Sequence, residues 1–249
     1  MSYIFGRNPV IEALRSSKVI QKIYIQHGTH GENLNKVFQL AKRNKIPTVV
    51  SDLKKLKKLV GDVSHQGVIA LLSPVEIIPI DELLKNLEHR KDNHLLILLD
   101  GIQDPHNMGA IIRSAEVFNV QGVVTSIKGT CPITDTVVKS SAGAVLHIPI
   151  SREKNLSQSI IKLKEKNYWL YGASLKAERT LWEMDFKRKC AILIGNEERG
   201  IRPGLQSACD DLFKIAQQGK TASLNASVAT GIVLAETVRQ RQNIRSSNL

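Results

Sequence analysis

Three cysteines in 249 residues, at positions 131, 190 and 209, are too few and too scattered for a disulfide framework. Their spacing fits no zinc site either, so a reduced, cytoplasmic setting without a metal is expected. No apolar run approaches the ~20 residues that span a bilayer. The opening MSYIFGRNPVIEALRSS has no basic segment followed by an apolar core, so no secretory signal and no membrane partner are expected. Aromatic residues make up only 4%, which argues against platforms that stack single-stranded bases. Phosphate-binding fingerprints are missing too. No Gly-x-Gly-x-x-Gly occurs; Gly219-Lys220-Thr221 imitates the end of a P-loop, but Lys214 stands where its first glycine belongs. There is no Gly-x-Ser-x-Gly elbow, and none of the seven histidines has a metal-like partner four residues on.

What the chain has in excess is positive charge. Lys and Arg exceed Asp and Glu by 12, and the pI of about 9.7 makes a polyanion the leading partner. The excess gathers at Lys54-Lys55-Lys57-Lys58, Lys162-Lys164-Lys166, Lys187-Arg188-Lys189 and Arg239-Arg241-Arg245. Each cluster taken alone is equally a solvated face. Taken together they favour nucleic acid, bound through phosphate and groove contacts.

Periodicity divides the chain into a small α/β unit, residues 1–75, a weakly patterned linker at 76–92, and a larger α/β unit, 93–249. In the first, Asn8-Pro9 opens a helix to about Arg15. Strands are expected at Lys22–Ile25, Thr48–Val50 and Gly67–Leu72. Between them lie a helix over Leu34–Arg43, with Leu34, Val37, Phe38 and Ala41 inward, and a lysine-rich helix capped by Ser51. The linker holds one short helix, Ile80–Leu87. In the second unit, strands are expected at Leu95–Leu99, Val123–Ser126, Leu146–Ile150, Tyr168–Ala173, Ala191–Ile194 and Leu212–Ile215. Nearly continuous apolar strands alternating with helices indicate a parallel sheet covered on both faces.

Open α/β sheets bind ligands where strands end. Three such junctions carry polar residues. After Leu99 come Asp100 through Arg113, with a helix beginning near Asn107 and burying Met108, Ile111, Ile112, Ala115 and Phe118. Asn107 then reads as a cap or a catalytic amide, and Arg113, off the stripe, as a solvated or a catalytic arginine. After Ile194 comes Gly195-Asn196-Glu197-Glu198-Arg199-Gly200, whose terminal glycines suggest close backbone approach to a ligand. After Ile215 the chain leads to Ser223-Leu224-Asn225 and a final helix of small residues, with Val228, Ile232 and Ala235 at i, i+4 and i+7 on its buried side.

These junctions, in this order, resemble the motifs of the SpoU (TrmH-like) family of RNA ribose 2′-O-methyltransferases, within the SPOUT superfamily. Asn107 through Arg113 is similar to its Asn-x-Gly-x-x-x-Arg motif, Gly195-x-Glu197-x-x-Gly200 to its second, and Ser223-Leu224-Asn225 with the slim helix to its third. Gly6-Arg7-Asn8-Pro9-Val10 through His65-Gln66-Gly67-Val68 resembles the substrate-binding domain of the branch acting on a guanosine of bacterial 23S ribosomal RNA. The resemblance implies a deep trefoil knot, S-adenosylmethionine (SAM) as cofactor, and a homodimer. It implies catalytic roles for Arg113, Asn107, Glu197, Ser223 and Asn225, cofactor contacts at Gly195, Gly200, Ile215 and Leu224, and RNA contacts at Arg7, Asn8 and Arg113. The resemblance gives Arg113 the central role, as a base or as a clamp on the target phosphate, the clamp being favoured because guanidinium stays protonated. Glu197 would fix its loop while holding Arg113 or Asn107. The pattern departs at Ile215-Ala216-Gln217, where members usually carry Ile-Pro-Met. A transfer-RNA methyltransferase is the alternative within the family. Outside it stand a non-catalytic RNA-binding module and, more distantly, a nucleotide-dependent enzyme.

Overall fold

The computed structural model describes residues 3–15, 20–73, 75–90, 93–221 and 223–246, with side chains to Gln242. Pro74, Lys91, Asp92, Ala222 and the Arg245 side chain, all within stretches named above, lie outside the described residues. The chain separates into two compact units, Met1–Glu76 with Pro132–Asp135, and Ile77–Cys131 with Thr136–Leu249.

The first unit runs β1 (Tyr3–Phe5), α1 (Arg7–Arg15), β2 (Ile20–Gln26), α2 (Glu32–Arg43), β3 (Thr48–Ser51), α3 (Leu53–Val60) and β4 (Val68–Leu72). Its sheet has the order β1-β4-β2-β3, with β2 and β3 parallel and β4 antiparallel to both its neighbours. Val10 and Leu14 from α1, Val37 and Ala41 from α2, and Ile23, Val68 and Ala70 from the sheet close one apolar core. Two local expectations are corrected here, and one strand is added. Strand β1, too short for a periodic signal, pairs along β4. Asp52, not Ser51, caps α3 by accepting from Lys55 N at 2.7 Å. Phe38 is 38% exposed, because Leu34, Val37 and Ala41 already complete the inward stripe and it falls on that stripe's edge.

The second unit contains α4 (Ile80–Leu87), β5 (Leu95–Leu99), α5 (Pro105–Val117), β6 (Gly122–Ser126), α6 (Asp135–Ser140), β7 (Ile150–Glu153), α7 (Leu156–Glu165), β8 (Trp169–Ala173), β9 (Cys190–Ile194), α8 (Pro203–Gln206), β10 (Asp211–Phe213) and α9 (Ala226–Ser246). All six strands are parallel, in the order β10-β8-β9-β5-β6-β7. Central β5 and β9 are buried along their whole length, as continuous apolar strands must be when both faces are covered. The stretch expected as a linker is not free chain. Its helix α4 buries Ile80, Leu83, Leu84 and Leu87 in the core of this unit, and Ile80 N donates to Glu153 Oε1 at 2.9 Å.

The strand expected at Leu146–Ile150 begins only at Ile150. Gly143 turns left-handed at φ +83°, a 3-10 turn covers Ala144–Leu146, and Pro149 has no N–H for a ladder. The last helix is also turned from its expected face. Thr230, Val233, Leu234 and Thr237 are buried, whereas Val228 is 50% exposed and Ala235 faces solvent. Burial of the threonines is possible because Thr230 Oγ1 and Thr237 Oγ1 donate to the carbonyls four residues back, at 2.7 and 2.8 Å. No helix among the described residues is long and apolar enough to cross a membrane.

Candidate active site

The three polar junctions meet at the carboxyl ends of the central strands. Strand β5 ends at Leu99 and α5 starts at Pro105, with Asp104 as its cap, accepting from His106 N at 3.0 Å. Asn107 is therefore inside the first turn and free of capping duty. Its half-buried amide instead links the other two junctions. Asn107 Nδ2 donates to Glu197 Oε1 at 2.6 Å, and Asn107 Oδ1 accepts from Asn225 Nδ2 at 2.9 Å. Asn225 in turn opens α9: its Oδ1 accepts from Ser227 N at 2.9 Å and Ser227 Oγ at 2.6 Å. One relay, Glu197–Asn107–Asn225, thus ties the second and third junctions to the first.

The Gly195–Gly200 loop is a tight backbone crossing. Asn196 N donates to Gly200 O at 3.1 Å and Gly200 N returns to Asn196 O at 2.8 Å. A Cβ on Gly195 would stand 2.2 Å from the Gly200 carbonyl carbon, so only glycine fits. Asn196 holds the turn with its side chain, accepting from Glu198 N at 2.9 Å and donating to Gly101 O at 3.0 Å. Behind it, Asp100 is 2% exposed and takes three donors from Arg202: N at 2.9 Å, Nε at 2.8 Å and Nη2 at 2.7 Å. Neither Asn196 nor the Asp100–Arg202 pair stood out in the sequence. The available signal was an aspartate directly after five apolar strand residues, since a buried carboxylate requires a paired donor.

Beside this loop lies a cleft of ≈ 360 Å³, whose wall includes Gly195, Glu197, Gly200, Ile215, Ser223 and Leu224. Ile194, Ile201 and Phe213 give it apolar surface. Every residue expected to touch a cofactor lines it. Asn107 and Asn225 stand behind Glu197 rather than in the cleft wall. Arg113 is exposed on α5, about 9 Å along the helix from Asn107, and Glu197 holds Asn107 rather than Arg113. In the first unit, Arg7 N donates to Gln66 Oε1 and Arg7 Nε to Gln66 O, both at 3.1 Å, while Asn8 Oδ1 accepts from Asn33 Nδ2 at 3.0 Å. The two separated motif stretches of that unit therefore form one polar corner. The thiols are poor nucleophiles, since burial pushes Cys131 and Cys190 up to about 11 and Cys209 up to about 12.

Comparison with known proteins gives the family. The SpoU rRNA Methylase family model matches residues 94–235. The chain belongs to the SpoU family. Residues 3–78 match the model for RNA 2′-O ribose methyltransferase substrate binding, so the chain joins that domain to a SpoU methylase domain. A putative TrmH family tRNA/rRNA methyltransferase of Staphylococcus haemolyticus is 36% identical over 241 residues, covering 97% of this chain and 96% of that one. YacO of Bacillus subtilis, named likewise, is 34% identical over 242 residues, 97% of each chain. The crystal structure of the SpoU methyltransferase AviRb from Streptomyces viridochromogenes, in complex with AdoMet, shares the fold. Its TM-score is 0.62 at 22% identity, over 97% of this chain and 90% of that one.

Proposed function

We propose that this SpoU-family protein transfers a methyl group from SAM to the 2′-hydroxyl of a guanosine ribose in 23S ribosomal RNA. The observation that carries the reading is the Glu197–Asn107–Asn225 relay at the edge of the ≈ 360 Å³ cleft. The cleft fits the cofactor in size, within the ~300–1,000 Å³ of small-molecule sites. It also fits in chemistry, with apolar walls for the adenine and thioether and close-packed backbone at Gly195 and Gly200 for polar edges. Ile215 and Leu224 complete the grip. Where relatives of this branch usually carry Pro-Met, Ala216 is exposed outside the cleft wall and is tolerated by a grip through backbone, whereas Gln217 lines the cleft and puts an amide where a methionine would stand.

SAM would supply an activated methyl group and leave as S-adenosylhomocysteine when the sulfur–methyl bond breaks. The protein's task is therefore to align the 2′-hydroxyl, whose proton passes to water. Asn107, Ser223 and Asn225 orient the ribose, and Glu197 keeps Asn107 in register by accepting its N–H. Arg113 holds the target phosphate; a guanidinium stays protonated and serves as a clamp rather than a base. Arg7 and Asn8, braced by Gln66 and Asn33, hold the RNA at the first unit.

We also assign a deep trefoil knot to the second unit. In support, β10 is one edge strand of the sheet, yet the helix that follows it packs against α5, which follows central β5. The chain must cross back beside the Gly195–Arg202 loop to do so. The assembly we propose is a homodimer.

The test is methyl transfer from labelled SAM to ribosomal and transfer RNA purified from cells lacking the protein. Label is expected at a guanosine 2′-oxygen of 23S RNA. Label confined to transfer RNA would reassign the substrate, and label in neither would reduce the protein to an RNA-binding module.

A further inference from the structure

The basic clusters of the sequence do not survive equally as surface charge. Lys162 pairs with Asp81 at 2.6 Å, Lys164 with Asp210 at 2.7 Å and Lys166 with Glu88 at 2.7 Å. Arg188 pairs with Asp185 at 3.0 Å and Arg239 with Glu236 at 2.6 Å. Arg241 is turned inward, donating to the main-chain oxygens of Phe186 at 2.9 Å, Asn93 at 2.6 Å and Arg188 at 3.0 Å. These cations brace the second unit.

Helix α3 is different. Residues 1–76 carry 12 of the 35 Lys and Arg but 5 of the 23 Asp and Glu, so 7 of the 12 surplus charges sit in under a third of the chain. Among the described residues, Lys54, Lys55 and Lys58 have no carboxylate partner. The two nearby carboxylates are already occupied: Asp52 caps the helix, and Asp62 pairs with Lys57 at 2.7 Å. Leu56 is the helix's buried residue. At ~100° per residue, Lys54, Lys55 and Lys58 fall within one ~100° arc on the side opposite Leu56. They form a fixed, solvated, unneutralised row.

We infer that this face of α3 docks the phosphate backbone of a base-paired segment of the substrate RNA, through Lys54, Lys55 and Lys58. This rests on the reading of the protein as an RNA methyltransferase, and on the match of residues 3–78 to a substrate-binding domain. The helix is built of Leu, Lys and Val alone, so it offers no acceptor for base edges and no ring for stacking. It therefore positions RNA without reading its sequence. Neighbouring lysines spaced ~5–6 Å apart on one helix suit a regular backbone better than a flexible strand.

The test compares wild-type protein with a triple variant, Lys54→Gln, Lys55→Gln and Lys58→Gln, which preserves helix propensity. Binding to transcribed 23S ribosomal RNA is titrated over a series of KCl concentrations. Each phosphate contact contributes about 0.9 to the slope of log affinity against log salt, so the slope is expected to flatten by about 2 to 3 units. Affinity at ~0.1 M salt is expected to drop at least about tenfold, with SAM affinity and melting temperature unchanged. A control removing as many paired charges, Lys162→Gln, Lys164→Gln and Lys166→Gln, is expected to keep the wild-type slope. An α3 variant with wild-type slope and affinity, or equal flattening in both triples, overturns the assignment. If the wild-type protein binds the RNA yet transfers no methyl group from SAM, the enzymatic reading fails while the docking surface stands on its own titration.

Discussion

Asn107 shows why a single amide is needed where three chain segments meet. The position must give a hydrogen bond to the Glu197 carboxylate and take one from the Asn225 amide. An asparagine has both capacities on one short side chain. A carboxylate there would face Glu197 with like charge, and an alanine would leave Glu197 without this donor. Arg113 stands in contrast, exposed and without a hydrogen bond or ion pair among the described residues. Its replacement by Ala should therefore change stability by no more than about 0.5 kcal/mol. If it clamps the target phosphate, single-turnover methylation should still fall about a hundredfold or more. Arg113→Lys should not restore the rate, because it keeps the charge and loses the planar fork. Normal melting together with near wild-type transfer in Arg113→Ala would return this residue to the solvated surface.

At the scale of elements, the site depends on how closely backbones approach. Gly195→Ala would bring its Cβ to 2.3 Å from Ile201 N as well as 2.2 Å from the Gly200 carbonyl carbon, and main chain cannot step aside as a flexible side chain can. Overpacking of this kind costs about 1–3 kcal/mol, and the displaced loop is a wall of the cleft. The variant should melt earlier and bind S-adenosylhomocysteine at least about tenfold more weakly by calorimetry; wild-type values in both would show that the crossing is not tight. This approach was only partly legible in the sequence. Gly195 signalled it, because close packing needs a residue without a side chain, while Gly200 serves the turn through its left-handed φ of +67°. The contact between Asn107 and Glu197 spans 90 residues and has no local signal, so only the family motifs joined them. Strands β5 and β9 were readable because burial on both faces makes them continuously apolar. The start of β7 and the facing of α9 were not. A proline and a left-handed glycine set the first, and hydroxyls satisfied by their own helix decide the second, so apolar spacing pointed to the wrong side of α9.

The facing of α9 has a consequence for the whole molecule. Val228, Ile232 and Ala235 lie along one line of the helix, with Val228 half in solvent and Ala235 exposed. Helix α5 packs against α9 and ends in Val117, which is 68% exposed. Apolar side chains standing outward on two helices packed together suit a surface covered by a second copy. The protein should sediment at twice its 27.6 kDa chain mass at micromolar concentration. Val228→Asp probes that surface. At an exposed position the change should cost the monomer little, whereas in an interface it buries an unpaired charge. The dimer should therefore dissociate while the melting of each chain barely moves. Methyl transfer should fall at least about tenfold, because Asn225 caps the same helix three residues earlier and holds Asn107. A wild-type protein that sediments as a monomer and still transfers methyl groups would leave this apolar line without a partner and confine the site to one chain.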